Sequence, residues 1–211
     1  MTSKPSENNA LGAESFRTQR PQSPSPRRSE RSHQAILTAA TELLEEKGYV
    51  NTSIEGIARR AGVGKQTIYR WWSSKARLIM EAYTAKVVCN MTVPDTGSVQ
   101  KDLCHILDRL FAVLTTKAAG AVMTGIMAEA QSDRDLAIAF REKFIYTPQE
   151  TMLTILNRGI ERGELYSNLN LELTMDMLYG PVWYRLLLKD GALDTAFAEE
   201  LVIQLLRGIR V

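Results

Sequence analysis

Gln66, Tyr69 and Arg70 stand at i, i+3 and i+4, with Lys65 and Thr67 beside them. On an α-helix that spacing lines up an amide, a phenol and a guanidinium on one face. Such groups read and grip a nucleic-acid groove. Arg and Gln can pair bidentately with guanine and adenine edges, while Lys, Thr and Tyr can reach phosphate oxygens. Ile68 and Trp72 are four apart and share the opposite, apolar face. Taken by itself the pattern fits a helix that enters a groove. It fits equally a helical corner whose solvated face is polar.

The neighbouring residues supply the elements that would position this face. Thr52 or Ser53 can cap a preceding helix, in which Ile54, Ile57, Ala58 and Ala61 form one apolar side. Gly62-Val63-Gly64 ends it, because glycine accepts the left-handed backbone of a tight inter-helix turn while Val63 can plug the angle between the helices. Upstream, a helix is expected from Ser29 or Ser32 to Lys47, with Ile36, Leu37, Ala40, Leu43 and Leu44 as its core stripe and Gly48 as its stop. Tyr49 and Val50 are expected to pack beneath the two short helices. Ser73-Ser74 signals the cap of a fourth helix over residues 74–89. Lys75 falls in its first turn, where a lysine is poorly matched to the helix dipole and an anionic partner would remove the mismatch. Without such a partner, Lys75 would be an exposed side chain with a small destabilising effect.

Ile36-Leu37-x-Ala39-Ala40, Leu43-Leu44, Gly48-Tyr49, Thr52-Ser53, Ile57-Ala58, Ala61-Gly62-Val63, Thr67-Ile68-Tyr69 and Lys75-x-x-Leu78 occur in that order. In this the stretch over residues 31–75 resembles the DNA-binding domain of the TetR family of bacterial transcriptional regulators. Two positions depart from the family pattern: Gly64 stands where many members have a capping Ser, and Trp71-Trp72 replaces the commoner His-Phe. The resemblance implies a helix-turn-helix on double-stranded DNA, with Gln66, Tyr69 and Arg70 in the major groove. Thr52, Lys65, Thr67, Tyr69 and Lys75 would hold phosphates. It further implies a homodimer on a palindromic operator, built through the last two helices, and a small apolar or amphipathic effector among the middle helices that releases a repressor from DNA. A regulator without an effector, an activator, and a helical enzyme or interaction module are the other readings.

Composition sets outer limits. The 211 residues are 45% hydrophobic and 24% charged, an ordinary globular balance. No apolar run approaches the about 18 residues of a membrane span, and the N-terminus lacks the order of a signal peptide, so the cytoplasm is the expected compartment. Cys89 and Cys104 form no CxxC or zinc set, so neither metal nor cofactor is expected, and a reduced, buried pair is. The net charge of +2 is unevenly spread: residues 27–77 hold ten Lys and Arg against five acids, and the chain beyond them is net acidic. A basic segment beside an acidic one fits a polyanion-binding end on a different module. Gly62-x-Gly64-Lys65 lacks the first glycine, the Ser/Thr and the preceding strand of a phosphate-binding loop. His33 and His105 lie in different modules with no nucleophile motif beside them, while Glu129 and Asp133 are carboxylates without an assigned part.

Residues 1–26, rich in Ser, Pro, Asn and Gln, read as a disordered polar tail. Its basic end, Arg27, Arg28 and Arg31, can reach along DNA or stay solvated. The DNA-binding domain is assigned to residues 27–76 and a helical effector-binding and dimerisation domain to residues 77–211. After the Val93–Gly97 loop every segment has helical spacing, Thr147-Pro148 breaks or starts a helix, and Gly180-Pro181 should kink another. The fold class is all-α, with about nine helices. Phe111, Met123, Met127, Phe140, Phe144, Tyr179 and Trp183 can line an apolar pocket, or can equally be core. The apolar faces of the last two helices can be a dimer seam or intramolecular core.

Overall fold

The computed structural model describes residues 26–87, 92–116 and 118–210, so the polar tail and Cys89 fall outside the described residues. The chain runs through α1 (Pro26–Asn51), α2 (Ile54–Ala61), α3 (Lys65–Tyr69), α4 (Lys75–Val87), α5 (Val99–Leu114) and α6 (Ala119–Ala130). It continues through α7 (Arg134–Phe140), a π-helical stretch (Arg141–Tyr146), α8 (Thr147–Glu161), α9 (Leu171–Leu188) and α10 (Thr195–Ile209). Among the described residues the β pairing is one isolated bridge between Leu165 and Arg210. The fold is all-α.

Local chemistry explains where these helices begin and end. Ser53, Asp133, Asn170 and Asp194 each accept a backbone N–H three residues on, satisfying donors that a helix start leaves without partners. Gly62 ends α2 in the left-handed region at φ 66°, and its N–H returns to the Ala58 and Arg59 carbonyls. Gly48, at φ 74° and ψ 174°, breaks the helical path inside α1. Thr147-Pro148 starts a helix, as its residue types suggest. The chain enters α8 directly from the π-helical stretch, with Pro148 in the first turn. Gly180 and Pro181 lie within a single helix, α9.

Two apolar cores form. The smaller gathers Ile36, Leu37, Leu43, Ile57, Ile68 and Trp72 from α1–α3 and their flank, together with Leu78 and Ala82 of α4. The larger holds α5–α10 and also takes Ala76, Ile79, Met80 and Tyr83 from α4. A boundary between residues 76 and 77 therefore cuts a helix that belongs to both cores.

The turn after Gly48 departs from the sequence expectation. Val50 does not pack beneath the helix-turn-helix; it is 87% exposed. Tyr49 is buried, but in the larger core, with its ring over Gly125 of α6. The positive φ at Gly48 swings Tyr49 away from α2 and α3 and toward α6. A Cβ on Gly125 would come within 2.3 Å of the Tyr49 ring. Helix propensity alone says that Gly125→Ala stabilises the protein by about 1 kcal/mol. This close approach predicts the opposite sign, a loss of about 1–3 kcal/mol as in other overpacked cores, measured by urea denaturation.

Candidate nucleic-acid interface

The helix-turn-helix forms as its residue types require. Ile68 and Trp72 are buried against α1 and α2, and Val63 packs into the angle. Lys65, Gln66, Tyr69 and Arg70 are exposed together, Tyr69 at 52%, with Thr67 half-buried between them. Gly64 provides no side-chain cap to α3. Across the turn, Lys65 Nζ donates to Glu55 Oε1 at 2.7 Å. That hydrogen bond holds the Glu55 carboxyl below its ordinary range and raises the Lys65 ammonium. Arg60 of α2 clasps Glu46 of α1 with both guanidinium NH2 groups, at 2.5 and 2.7 Å, which lowers the Glu46 carboxyl.

A second anchor sets the end of the recognition helix. The Trp72 indole N–H donates to Glu81 Oε2 at 2.8 Å, and His33 Nε2 lies 3.2 Å from Glu81 Oε1. His33 stacks on Trp72 at 4.8 Å between centroids and meets Trp71 edge-on at 4.7 Å. Trp71 is left 42% exposed, with the Arg70 guanidinium 5.7 Å from its ring centroid. Trp71 is not among the site residues read from sequence, where only Trp72 is given a place, on the apolar face with Ile68. The signal was that only one of two adjacent aromatics can face a helical core.

Two of the expected phosphate contacts sit differently from the rest. Thr52 is 2% exposed and donates its hydroxyl to the Gly48 carbonyl at 2.8 Å; Ser53, not Thr52, caps α2. Lys75 turns inward. Its Nζ donates to the Tyr49 carbonyl at 3.3 Å, sits 4.2 Å from the Tyr49 ring centroid and lies 3.9 Å from Glu129 Oε1 on α6. The Tyr49 hydroxyl donates to the same Glu129 oxygen at 2.7 Å. Burial, then Glu129, pushes the Tyr49 phenol far above its ordinary range. The anion that the Lys75 position calls for is thus supplied from within the chain. Asp133, the other carboxylate without a part in the sequence, caps α7.

The C-terminal half contains a cavity of about 520 Å³ between α6, α7, the π-helical stretch, α8 and α9. Met127, Phe140, Tyr179 and Trp183 meet on its walls, and Gln131, Arg141, Gln149 and Asp176 add polar groups. Burial raises the Tyr179 phenol to about 12. Met123 and Phe144 line a smaller space of about 30 Å³ that shares Tyr179 and Trp183. Phe111 lines neither: it is 2% exposed and stacks on Phe197 at 5.8 Å, inside the core. Leu173, Met177, Tyr184, Leu187 and Leu188 leave an apolar stripe exposed along α9. Among the described residues no group of three His, Cys, Asp or Glu is placed to hold a metal ion.

Known proteins match both halves. Residues 36–82 fit the family described as "Bacterial regulatory proteins, tetR family", and residues 93–205 fit "Tetracyclin repressor-like, C-terminal domain". The uncharacterized HTH-type transcriptional regulator YdeS of Bacillus subtilis is 37% identical over 183 residues, covering 87% of this chain and 92% of that protein. A DNA-binding transcriptional repressor TetR of Mycobacteroides abscessus is 31% identical, covering 83% and 92%. The crystal structure of the TetR family regulator SCO0332 superposes with a TM-score of 0.70 at 33% identity, covering 86% of this chain and all of that one. Matched along both its DNA-facing and its C-terminal half, the chain belongs to the TetR family of DNA-binding bacterial transcriptional regulators.

Proposed function

We propose that the protein is a cytoplasmic repressor that binds a palindromic operator as a homodimer and is released by a small amphipathic effector. The observation that carries the DNA-reading part is the exposed Gln66–Tyr69–Arg70 face on a helix fixed at its buried side by Ile68 and Trp72. Gln66, Tyr69 and Arg70 read base edges in the major groove, while Lys65, Thr67 and Tyr69 hold phosphates. Lys75 joins them after leaving its inward position. Thr52 has spent its hydroxyl on Gly48 and supports the turn instead.

Dimerisation follows from the economics of recognition and from the α9 stripe. One helix-turn-helix contacts too few bases for selectivity, and a two-fold dimer reads both halves of a palindrome. The exposed apolar residues of α9 support a seam that a second copy covers. The large cavity, lined mostly by apolar side chains together with Gln131, Arg141, Gln149 and Asp176, supports an effector of matching amphipathic character. A regulator FadR from Bacillus subtilis was solved in complex with stearoyl-CoA, and another neighbour is described as flavonoid-responsive; at 21% and 19% identity they share the fold. An effector would favour a dimer whose recognition helices no longer match the half-site spacing.

Selecting bound duplexes from random DNA tests the reading. An inverted repeat is expected, and Arg70→Ala should cost about 1–3 kcal/mol and relax preference at the base pair it reads. Enrichment of no sequence would defeat the proposal. On the dimer, Met177→Glu replaces an exposed apolar side chain on both protomers. Each lost burial is worth about 1.5–3 kcal/mol, so sedimentation should show a shift toward monomer with a parallel loss of operator affinity.

A further inference from the structure

Lys75 occupies a position that demands an anion. It lies in the first turn of α4, where unsatisfied backbone N–H groups already carry partial positive charge. In this structure the carboxylate of Glu129, from α6, meets that demand at 3.9 Å. The same carboxylate accepts the Tyr49 hydroxyl at 2.7 Å, and the Tyr49 carbonyl accepts from Lys75. The three side chains form one closed set that joins the end of α1, the start of α4 and α6. Neither charge is deeply buried, with side-chain exposures of 24% for Lys75 and 42% for Glu129. Water and ions reach the pair, so its opening is not opposed by a large desolvation penalty.

We propose that Glu129 holds Lys75 back from DNA in the free protein, so that the α6 carboxylate and a DNA phosphate compete for one ammonium. The proposal rests on the reading of Lys75 as a phosphate ligand. It gives α6 a direct grip on operator affinity. Glu129 sits between Met127 and Ala130-Gln131, all three of which line the large cavity, so a molecule lodged there bears on the segment that carries the carboxylate. Four residues earlier, Gly125 lies against the Tyr49 ring with no room for a methyl group. A displacement of α6 therefore moves both the carboxylate that holds Lys75 and the ring on which its ammonium rests. Glu129 acts through Lys75 and is a positioning residue.

The test uses full-length protein and fluorescence anisotropy on a random-sequence duplex and on a selected operator, each across a series of salt concentrations. Glu129→Gln keeps an oxygen to accept the Tyr49 hydroxyl but removes the competing charge. Affinity should rise by about one and a half to fivefold, the scale of an exposed ion pair. The slope of log affinity against log salt should steepen by up to about 0.9, the contribution of one phosphate contact. Lys75→Met should weaken binding to every duplex and flatten the slope, and adding Glu129→Gln to it should then change nothing. Tyr49→Phe, which loses the hydrogen bond but keeps both charges, should leave the salt slope as in wild type.

Should Glu129→Gln leave affinity and slope unchanged while Lys75→Met weakens binding, the competition is absent and the phosphate assignment survives. A gain from Glu129→Gln that persists beside Lys75→Met also overturns the proposal, since the carboxylate then repels DNA without acting through Lys75. If Lys75→Met alters neither affinity nor slope, the phosphate assignment falls and takes the competition with it.

Discussion

The α4 helix must satisfy two apolar cores at once, and the arrangement of the molecule depends on how it does so. Leu78 and Ala82, one helical turn apart, close the core of the helix-turn-helix. Ala76, Ile79, Met80 and Tyr83, on the other side of the same helix, enter the core of the C-terminal half. A three-helix unit of about 50 residues buries too little apolar surface to be more than marginally stable alone. Sharing α4 lends it the stability of the larger body. The cost is independence: α4 cannot rotate to suit one core without unpacking the other. Close-packed interfaces of this kind respond by switching between arrangements rather than by bending continuously.

The recognition helix illustrates the same dependence at smaller scale. Five residues make no self-supporting helix, and Gly64 withholds the side-chain cap that would help it start. Its geometry is imposed from outside. Ile68 and Trp72 fix one face, Glu81 of α4 holds the indole N–H, and His33 of α1 stacks on the same ring. The substitution of Trp71-Trp72 for the commoner aromatic pair is therefore not just apolar filling. Trp72 gains a hydrogen bond that a phenylalanine lacks, and Trp71 is left at the surface beside Arg70. The exposed Gln66–Tyr69–Arg70 face and α4 are tied through one carboxylate, Glu81.

The helices of this fold were legible in the sequence because their causes are local. Stripes at three- and four-residue spacing, caps and stop glycines marked α1, α2, α5, α9 and α10, and the outward face of α3 followed from the same periodicity. What escaped was set by long-range contact or by a single backbone angle. A stop glycine at Gly48 was expected, but its φ of 74° determines that Tyr49 goes inward to α6 while Val50 goes out, and no periodicity encodes that choice. Thr52 and Ser53 look alike as caps; which one is used depends on the same turn. The Tyr49–Glu129 bond spans 80 positions, so Glu129 could only appear in the sequence as a carboxylate without a part. In the cavity, Met127, Phe140, Tyr179 and Trp183 were visible as aromatic and methionine walls. Phe111 belonged to the same class and is core, because its partner is Phe197 on another helix. Arg141 reaches the wall from a π-helical stretch, whose wider turn alters the facing that an α-helical count assumes.

A carboxylate facing the DNA-binding half works against affinity for a polyanion, so its presence at Glu129 needs a compensating reason. The start of α4 supplies one. A lysine in a first helical turn adds positive charge to the positive end of the dipole, and the unbound protein would carry that mismatch throughout its life off DNA. Glu129 lies close enough to offset it in this structure, and in the proposed competition a phosphate would take over that part on DNA. On that proposal the anion at the start of α4 is exchanged rather than lost, so the free and bound arrangements would each satisfy the same helix terminus. If the two anions hold Lys75 comparably, the two states differ by little free energy at this locus. A ligand can shift an equilibrium only by its differential affinity for the two states, so a small difference is what allows a modest effector to act. Glu129 stands on α6 between residues that line the cavity, so the proposed exchange would place its balance next to a site that a small molecule could occupy.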